Sequence, residues 1–330
     1  MNVPARGRTG GIAAGRVVDY LRLSVTDRCN FRCSYCMPPE GVAFRDHEDM
    51  LTYEDMVFFV RIAAEVGISK VRLTGGEPLV RKGLPDLVAQ LSALDGVDDI
   101  SLTTNGVLLP RFAAALRKAG LRRVNISLDS LEPARFRELT RGGSLEAALA
   151  GVEAAFAHGL EPVKINVVML PELLGEVKAF AELTRERSLH VRFIEWMPVG
   201  GCGPQGDGDS ISRDELMAAF TSLGALAPVA SPGGYGPAQY FRLPGHRGTL
   251  GFISSMSGHF CGDCNRLRLT ADGRLKSCLF SDDEVEVAGP VRARDEVGTR
   301  AAIDRSLGGK TFDKHTAAGR NARGMSQIGG

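Results

Sequence analysis

Two groups of cysteines carry the residue types and spacing that do chemistry. Cys29, Cys33 and Cys36 follow C-x3-C-x2-C in "CNFRCSYC", and Cys261, Cys264 and Cys278 follow C-x2-C-x13-C in "CGDCNRLRLTADGRLKSC". Structural zinc and ordinary iron–sulfur clusters take four protein ligands, whereas each group here offers three. A site one ligand short either borrows a distant residue or leaves a position open for a substrate, as catalytic zinc does. Spacing fixes thiolate ligation but not the metal. The first group therefore reads as a four-iron cluster with one open iron or as a zinc knuckle with a remote ligand. The second reads as the same kind of cluster or as a Cys3His zinc site completed by His259. Cys202, in a Gly-rich loop, has no assignable role.

Basic residues supply the second signal. Lys70 and Arg72 in "KVRLT", and Arg266 and Arg268 in "RLRL", are two apart on strand-like segments, so each pair shares one face. Arginine in a buried strand is costly unless it meets an anion, and its planar fork matches phosphate oxygens. Arg81 and Lys82 read as solvated charges. "GCGPQG" (Gly201–Gly206) has the glycine spacing of a dinucleotide turn but contains Pro204 and is not followed by a helix. "GGKT" (Gly308–Thr311) would place the first glycine of a phosphate loop at Asp304, in a helical stretch. Any phosphate must then be met by scattered basic residues. His47, His158, His190, His246 and His315 have no convincing partners and read as structural or surface residues.

The elements that must position these groups come in alternation. "YLRLSVT", "KVRLT", "DISLTT", "RRVNISLD", "PVKINVVM" and "HVRFIEW" read as strands. Between them lie helices over 52–66, 84–94, 110–118, 133–139, 145–158 and 176–187, the first capped by Thr52 with Asp55 three residues on. Six strands alternating with helices imply a parallel sheet. No Gly-rich turn follows the first strand, so a partial (β/α)6 TIM-like barrel is expected over 17–197, and the first cysteine loop sits where such barrels build active sites. Residues 1–16 read as a disordered N-terminus. Residues 198–330 read as an α+β extension packed on the barrel, with a helix near 214–223 and strands at 239–243, 250–254 and 267–270. Residues 281–310 give no placeable pattern, and the terminal Gly329 and Gly330 alone would read as a frayed end.

The chain has 330 residues, 44% hydrophobic and 24% charged, with a formal net charge of +1. The balance argues against bulk binding to nucleic acid or membrane. No apolar run spans a bilayer and no export signal opens the chain, so a cytoplasmic protein with thiols kept as metal ligands is expected.

With Tyr35 before the last cysteine and "GGEP" after the second strand, the first triplet resembles the radical S-adenosylmethionine (SAM) superfamily. The further stretches "LRLSVTDRCNFRCSYCMP", "KVRLTGGEPLVR", "LTTNG", "VNISLDSL", "VKINVV", "RFIEWMPVG", "GHFCGDCNRLRLTADGRLKSCLF" and "MSQIGG" resemble the GTP 3′,8-cyclase family of molybdenum cofactor biosynthesis, over nearly the whole chain. The resemblance implies two [4Fe-4S] clusters. One on Cys29, Cys33 and Cys36 would bind SAM; the other, on Cys261, Cys264 and Cys278, would face the purine of GTP. It implies SAM contacts at Tyr35, Gly76, Ser127 and Met197. GTP contacts are implied at Arg22, Arg72, Thr103, Lys164, Arg266 and Arg268, with Lys70 and Arg192 lining the cleft. The Gly329–Gly330 tail would thread into the active site. The implied reaction uses a 5′-deoxyadenosyl radical to convert GTP to 3′,8-cyclo-7,8-dihydro-GTP. A flavodoxin or ferredoxin would donate the electron, the next enzyme of molybdopterin synthesis would take the product, and the chain would be a homodimer. Competing readings are a radical SAM enzyme acting on a peptide and a non-catalytic zinc protein that binds RNA.

Overall fold

The computed structural model describes residues 11–13, 16–43, 45–203, 210–234, 236–258, 261–310 and 323–329. Strands β1 (Gly11–Ala13) and β2 (Arg16–Val18) pair antiparallel. Regular backbone therefore begins before residue 17, in a stretch whose glycines and arginines suggested disorder.

Six parallel strands follow: β3 (Tyr20–Ser24), β4 (Lys70–Thr74), β5 (Asp99–Thr104), β6 (Arg123–Ser127), β7 (Val163–Met169) and β8 (Leu189–Glu195), neighbours in that order. Helices α1 (Tyr53–Glu65), α2 (Leu84–Ser92), α3 (Leu109–Lys118), α4 (Pro133–Leu139), α5 (Leu145–Ala157) and α6 (Val177–Glu182) connect them. The expected capping box forms at α1: Thr52 Oγ1 accepts from Asp55 N at 3.1 Å, and the Asp55 carboxylate accepts from Thr52 N at 3.0 Å. The helix stops at Gly67, whose φ of +99° suits glycine. Leu21, Leu23, Val71, Leu73, Leu102, Val124 and Ile126 are fully buried in the core. Each contributes on the order of 2 kcal/mol by burial. Their strand neighbours Arg22, Arg72, Thr103 and Ser127 alternate with them and line the central cavity.

A helix α7 (Arg213–Thr221) carries a capping box from Ser212 and Glu215. Strands β9 (Ala227–Val229), β10 (Gln239–Arg242), β11 (Thr249–Ile253), β12 (Arg266–Leu269), β13 (Arg274–Lys276) and β14 (Val285–Glu286) follow. These strands extend the barrel sheet at both edges. β11 pairs parallel with β8 and leads to β10 and β9, while β12 pairs parallel with β3 and leads to β13 and β14. An open six-stranded sheet leaves two edges with unpaired backbone, and these strands satisfy both. The same pairing sets Arg268 beside Arg22 and Gly251 beside Arg192.

Residues 281–310, unplaceable from pattern, hold β14, α8 (Ala288–Arg292) and α9 (Glu296–Gly308). The buried side of α9 is built from Thr299, Ala302, Ile303, Ser306 and Leu307. Its spacing is helical, but small polar residues blur the stripe. Ion pairs Arg61–Glu296 and Arg300–Glu65 tie α9 to α1. A short α10 (Met325–Ile328) ends at Gly329. Among the described residues no helix is long and apolar enough to cross a membrane.

Candidate functional site

The first cysteine loop leaves the end of β3 and is held by backbone bonds to the end of α4. Ser34 N donates to Leu139 O at 2.9 Å and Arg32 N to Thr140 O at 3.2 Å. Arg141, at φ +52°, donates to the carbonyls of Arg32 (3.0 Å) and Met37 (2.6 Å). Tyr35 Oη donates to Asp129 Oδ2 at 2.5 Å, and Asp129 Oδ1 accepts from Val168 N at 2.8 Å. The Tyr35 ring lines the cavity, but its hydroxyl is committed to the ends of β6 and β7.

The "GGEP" turn follows β4. Gly76 N donates to Thr26 O and Glu77 N to Arg28 O, both at 2.8 Å. A Cβ on Gly76 would lie 2.4 Å from Arg28 O, and one on Gly75 would lie 2.6 Å from Thr26 O. The backbone these glycines admit is therefore that of the cysteine loop itself. The buried Glu77 carboxylate accepts from Thr104 Oγ1 (2.7 Å), Asn105 N (2.7 Å) and Leu79 N (3.0 Å). Burial pushes it up to about 7 against those three bonds. Asn105 Nδ2 donates to Asn30 Oδ1 at 2.7 Å, closing the link back to the cysteines.

Cys261 and Cys264 lie in a single turn before β12, with Cys264 N donating to Cys261 O at 3.2 Å. Cys278 follows β13, and β12–β13 pairing returns it to the same end of the sheet. The Lys310 ammonium donates to Ser277 O (2.7 Å), Arg266 O (2.8 Å) and Cys264 Sγ (3.5 Å).

All six cysteines line one cavity of about 330 Å³. Burial, reinforced by the Glu77 charge, pushes Cys29 up to about 11; burial and then the Cys29 thiol push Cys36 up to about 12, and burial, then Asp129 and the two other thiols, raise Cys33 well above the usual range. Three partly buried thiols set among acidic neighbours form a site suited to a cationic metal group. At Cys264 burial acts the same way, but the Arg266 and Lys310 charges outweigh it and bring the thiol to about 7. Among the described residues no three of His, Cys, Asp or Glu stand close enough to share a single ion. The all-thiol donor set of each triplet is of the chemistry that suits iron–sulfur ligation.

Between the triplets runs a row of arginines. Strand register sets Arg268, Arg22 and Arg72 side by side across β12, β3 and β4. Arg192 and Arg266 also line the cavity. Burial and mutual repulsion hold Arg22 well below its usual range and bring Arg72 and Arg268 down to about 10. Arg72 Nε donates to Ser101 Oγ at 3.2 Å and Arg192 Nε to Asn166 Oδ1 at 3.0 Å, both neutral partners. The carboxylates of the lining are engaged elsewhere: Glu77 and Asp129 as above, and Glu195 by Met256 N (2.7 Å) and Ser257 N (2.9 Å). Such a cluster is a receiver for a polyanion.

The tail reaches this row. Gly329 O accepts from Arg268 Nη1 at 2.8 Å and Arg22 Nε at 3.3 Å. Gly329 has φ +75°, and a Cβ there would lie 2.5 Å from Thr74 Oγ1. Gly330 lies outside the described residues, as do His259 and His315.

The cavity thus gathers both cysteine triplets with Arg22, Arg72, Thr103, Arg192, Arg266, Arg268, Tyr35, Gly76, Ser127 and Met197. It does not gather Lys70 or Lys164. The Lys70 ammonium pairs with Asp19, and Lys164 Nζ donates to Gly233 O beside the Tyr240 ring. Burial and the nearby arginines bring Lys164 down to about 6. Arg81 is not a solvated charge: it donates to Val25 O (2.5 Å) and Leu51 O (2.8 Å) over the Tyr53 ring. His190 and His246 are buried structural residues bonded to Thr249 and Thr184. Sequence reasoning passed over Glu77 as a network hub, Asp129, Asn105, Asn166 and Lys310. Only Glu77 carried a signal, its place in "GGEP".

A parallel barrel with a cysteine triplet after its first strand and a glycine turn after its second defines a radical SAM protein. Residues 23–184 match the Radical SAM superfamily and residues 189–316 match the family described as Molybdenum Cofactor Synthesis C. The chain is 50% identical over 321 residues to the GTP 3′,8-cyclase of Pelotomaculum thermopropionicum, covering 96% of this chain and 98% of that one. It is 48% identical over 318 residues to that of Moorella thermoacetica, with the same coverage. Among solved structures, Streptococcus suis SuiB bound to S-adenosylmethionine shares the fold, with a TM-score of 0.59 and 12% identity over 87% of this chain and 67% of that one. The chain belongs to the GTP 3′,8-cyclase family and is an enzyme that uses SAM and an iron–sulfur cluster.

Proposed function

We propose that the chain converts GTP to (8S)-3′,8-cyclo-7,8-dihydro-GTP, the first step of molybdenum cofactor biosynthesis. One observation carries the reading: both cysteine triplets and the arginine row face a single cavity. Residues 17–197 would form the SAM-binding half, and residues 198–330 would carry a second [4Fe-4S] cluster on Cys261, Cys264 and Cys278.

When bound, the first cluster and SAM supply a hydrogen-abstracting radical. The 3′ C–H bond of GTP breaks, C3′ joins C8 of the guanine, and one electron and one proton complete the product. The side chains of this chain hold the partners in register. Arg22, Arg72, Arg192, Arg266 and Arg268 receive the triphosphate, with Lys70 and Lys164 beyond the row. Thr103 contacts GTP, while Gly76, Ser127, Met197 and the Tyr35 ring receive SAM. Gly329 closes the arginine side. Orientation of one C–H bond before a reactive radical accounts for much of the catalysis. A flavodoxin or ferredoxin as donor, a homodimer, transfer to the next molybdopterin enzyme and a cytoplasmic location complete the reading.

The test is Cys264→Ala in reconstituted enzyme. Iron per chain falls by about half, SAM cleavage persists and GTP conversion is lost. Full GTP conversion by this variant would overturn the reading.

A further inference from the structure

Lys310 is buried, 6% exposed, two residues past the end of α9, and no step above uses it. A lysine ammonium has three N–H donors and no acceptor. Each of the three is placed: on Ser277 O, on Arg266 O and on Cys264 Sγ. The acceptors belong to different parts of the C-terminal triplet. Cys264 and Arg266 lie at the start of β12; Ser277 precedes Cys278 after β13. One side chain therefore ties the two halves of the triplet together and sets a positive charge against one of its sulfurs. Burying that charge is costly, and an uncharged residue could brace the loops at lower cost. The ammonium is explained if negative charge gathers beside it.

We propose that Lys310 is a positioning residue for the Cys261–Cys264–Cys278 triplet and raises the reduction potential of the iron–sulfur group held there. The inference rests on the reading of that triplet as a cluster site. Cluster potentials respond to net charge and to hydrogen bonds on the ligand sulfurs. Adding an electron next to a fixed cation at low solvent exposure is favoured, and Lys310 supplies both the cation and the N–H···S bond.

The test isolates the C-terminal group in full-length chain by replacing Cys29, Cys33 and Cys36 with Ala. The protein is reconstituted anaerobically with iron and sulfide and titrated electrochemically with electron paramagnetic resonance as readout. Lys310→Met is expected to lower the reduced-to-oxidised ratio at fixed potential about tenfold, a shift of about 59 mV to more negative values for one electron. Lys310→Arg, which keeps a charge and donors, is expected to stay near the parent, and Lys310→Gln to fall between. Loss of iron from Lys310→Met with retention in Lys310→Arg would also support the positioning role. A midpoint unchanged in Lys310→Met at full iron content would overturn the proposal alone. A parent that binds no iron would overturn the cluster reading, and the proposal with it.

Discussion

Gly329→Ala separates a seated tail from a frayed end. At φ +75° an L residue bears a left-handed cost of about 1–2 kcal/mol. Its Cβ would stand 2.5 Å from Thr74 Oγ1 and 3.1 Å from Ser24 Cβ. Thr74 is buried and β-branched, so it cannot swing aside, and overpacking adds about 1–3 kcal/mol. The combined penalty of about 2–5 kcal/mol falls on tail docking, because only the short α10 and its contacts must release. Even about 2 kcal/mol shifts the seated fraction about 30-fold. Hydrogen exchange by mass spectrometry should show protection of residues 323–329 falling by at least that factor. The melting temperature should move by no more than about 2 °C, since the barrel is untouched. GTP conversion should fall with tail protection while SAM cleavage persists. Unchanged exchange in the tail, or a collapse of the whole melt, would refute the reasoning.

Three further outcomes follow from the same geometry. Gly76→Ala forces a Cβ to within 2.4 Å of Arg28 O, so the cysteine loop must shift at about 1–3 kcal/mol; iron analysis after reconstitution should show loss at Cys29, Cys33 and Cys36. Arg72→Met removes a buried like charge, so the protein without nucleotide should melt no lower than the parent. Losing a charged hydrogen bond of about 1.5–3 kcal/mol should weaken GTP binding about 10- to 100-fold by calorimetry in the absence of SAM. Lys164, usually near 10.5, is brought to about 6 by burial and then by Arg192 and Arg72, so the unfolded chain binds the extra proton between those values. Stability should therefore rise with pH across that window, and Lys164→Met should flatten the rise in thermal melts from pH 6.5 to 9.

The barrel was legible because its strands alternate without long insertions and Thr52 with Asp55 writes a capping box in plain letters. The cysteine triplets were legible as candidate ligand groups because their spacing is local, and the fold brings all six to one cavity. Edge pairing was not: nothing in "RLRL" says that β12 lies beside β3, since parallel partners are chosen by tertiary packing across more than two hundred residues. That one pairing places Arg268 against Arg22 and so completes the arginine row. The role of "GGEP" was half visible. The letters carried the resemblance, but not that the backbones of Thr26 and Arg28 press against Gly75 and Gly76. Lys310 gave no sign, because its three acceptors come together only when the residue after α9 meets the open end of the β12–β13 hairpin, and α9 itself is hidden by Gly298, Ser306 and Gly308.

The central claim is that the two triplets serve one reaction on one bound GTP. Transfer of deuterium from 3′-deuterated GTP into 5′-deoxyadenosine tests it most directly, with anaerobically reconstituted protein, SAM and a one-electron reductant. The account predicts deuterium in 5′-deoxyadenosine, with a cyclised nucleotide formed in step. SAM cleavage that proceeds at the same rate without GTP, and 5′-deoxyadenosine free of deuterium when labelled GTP is present, would contradict it.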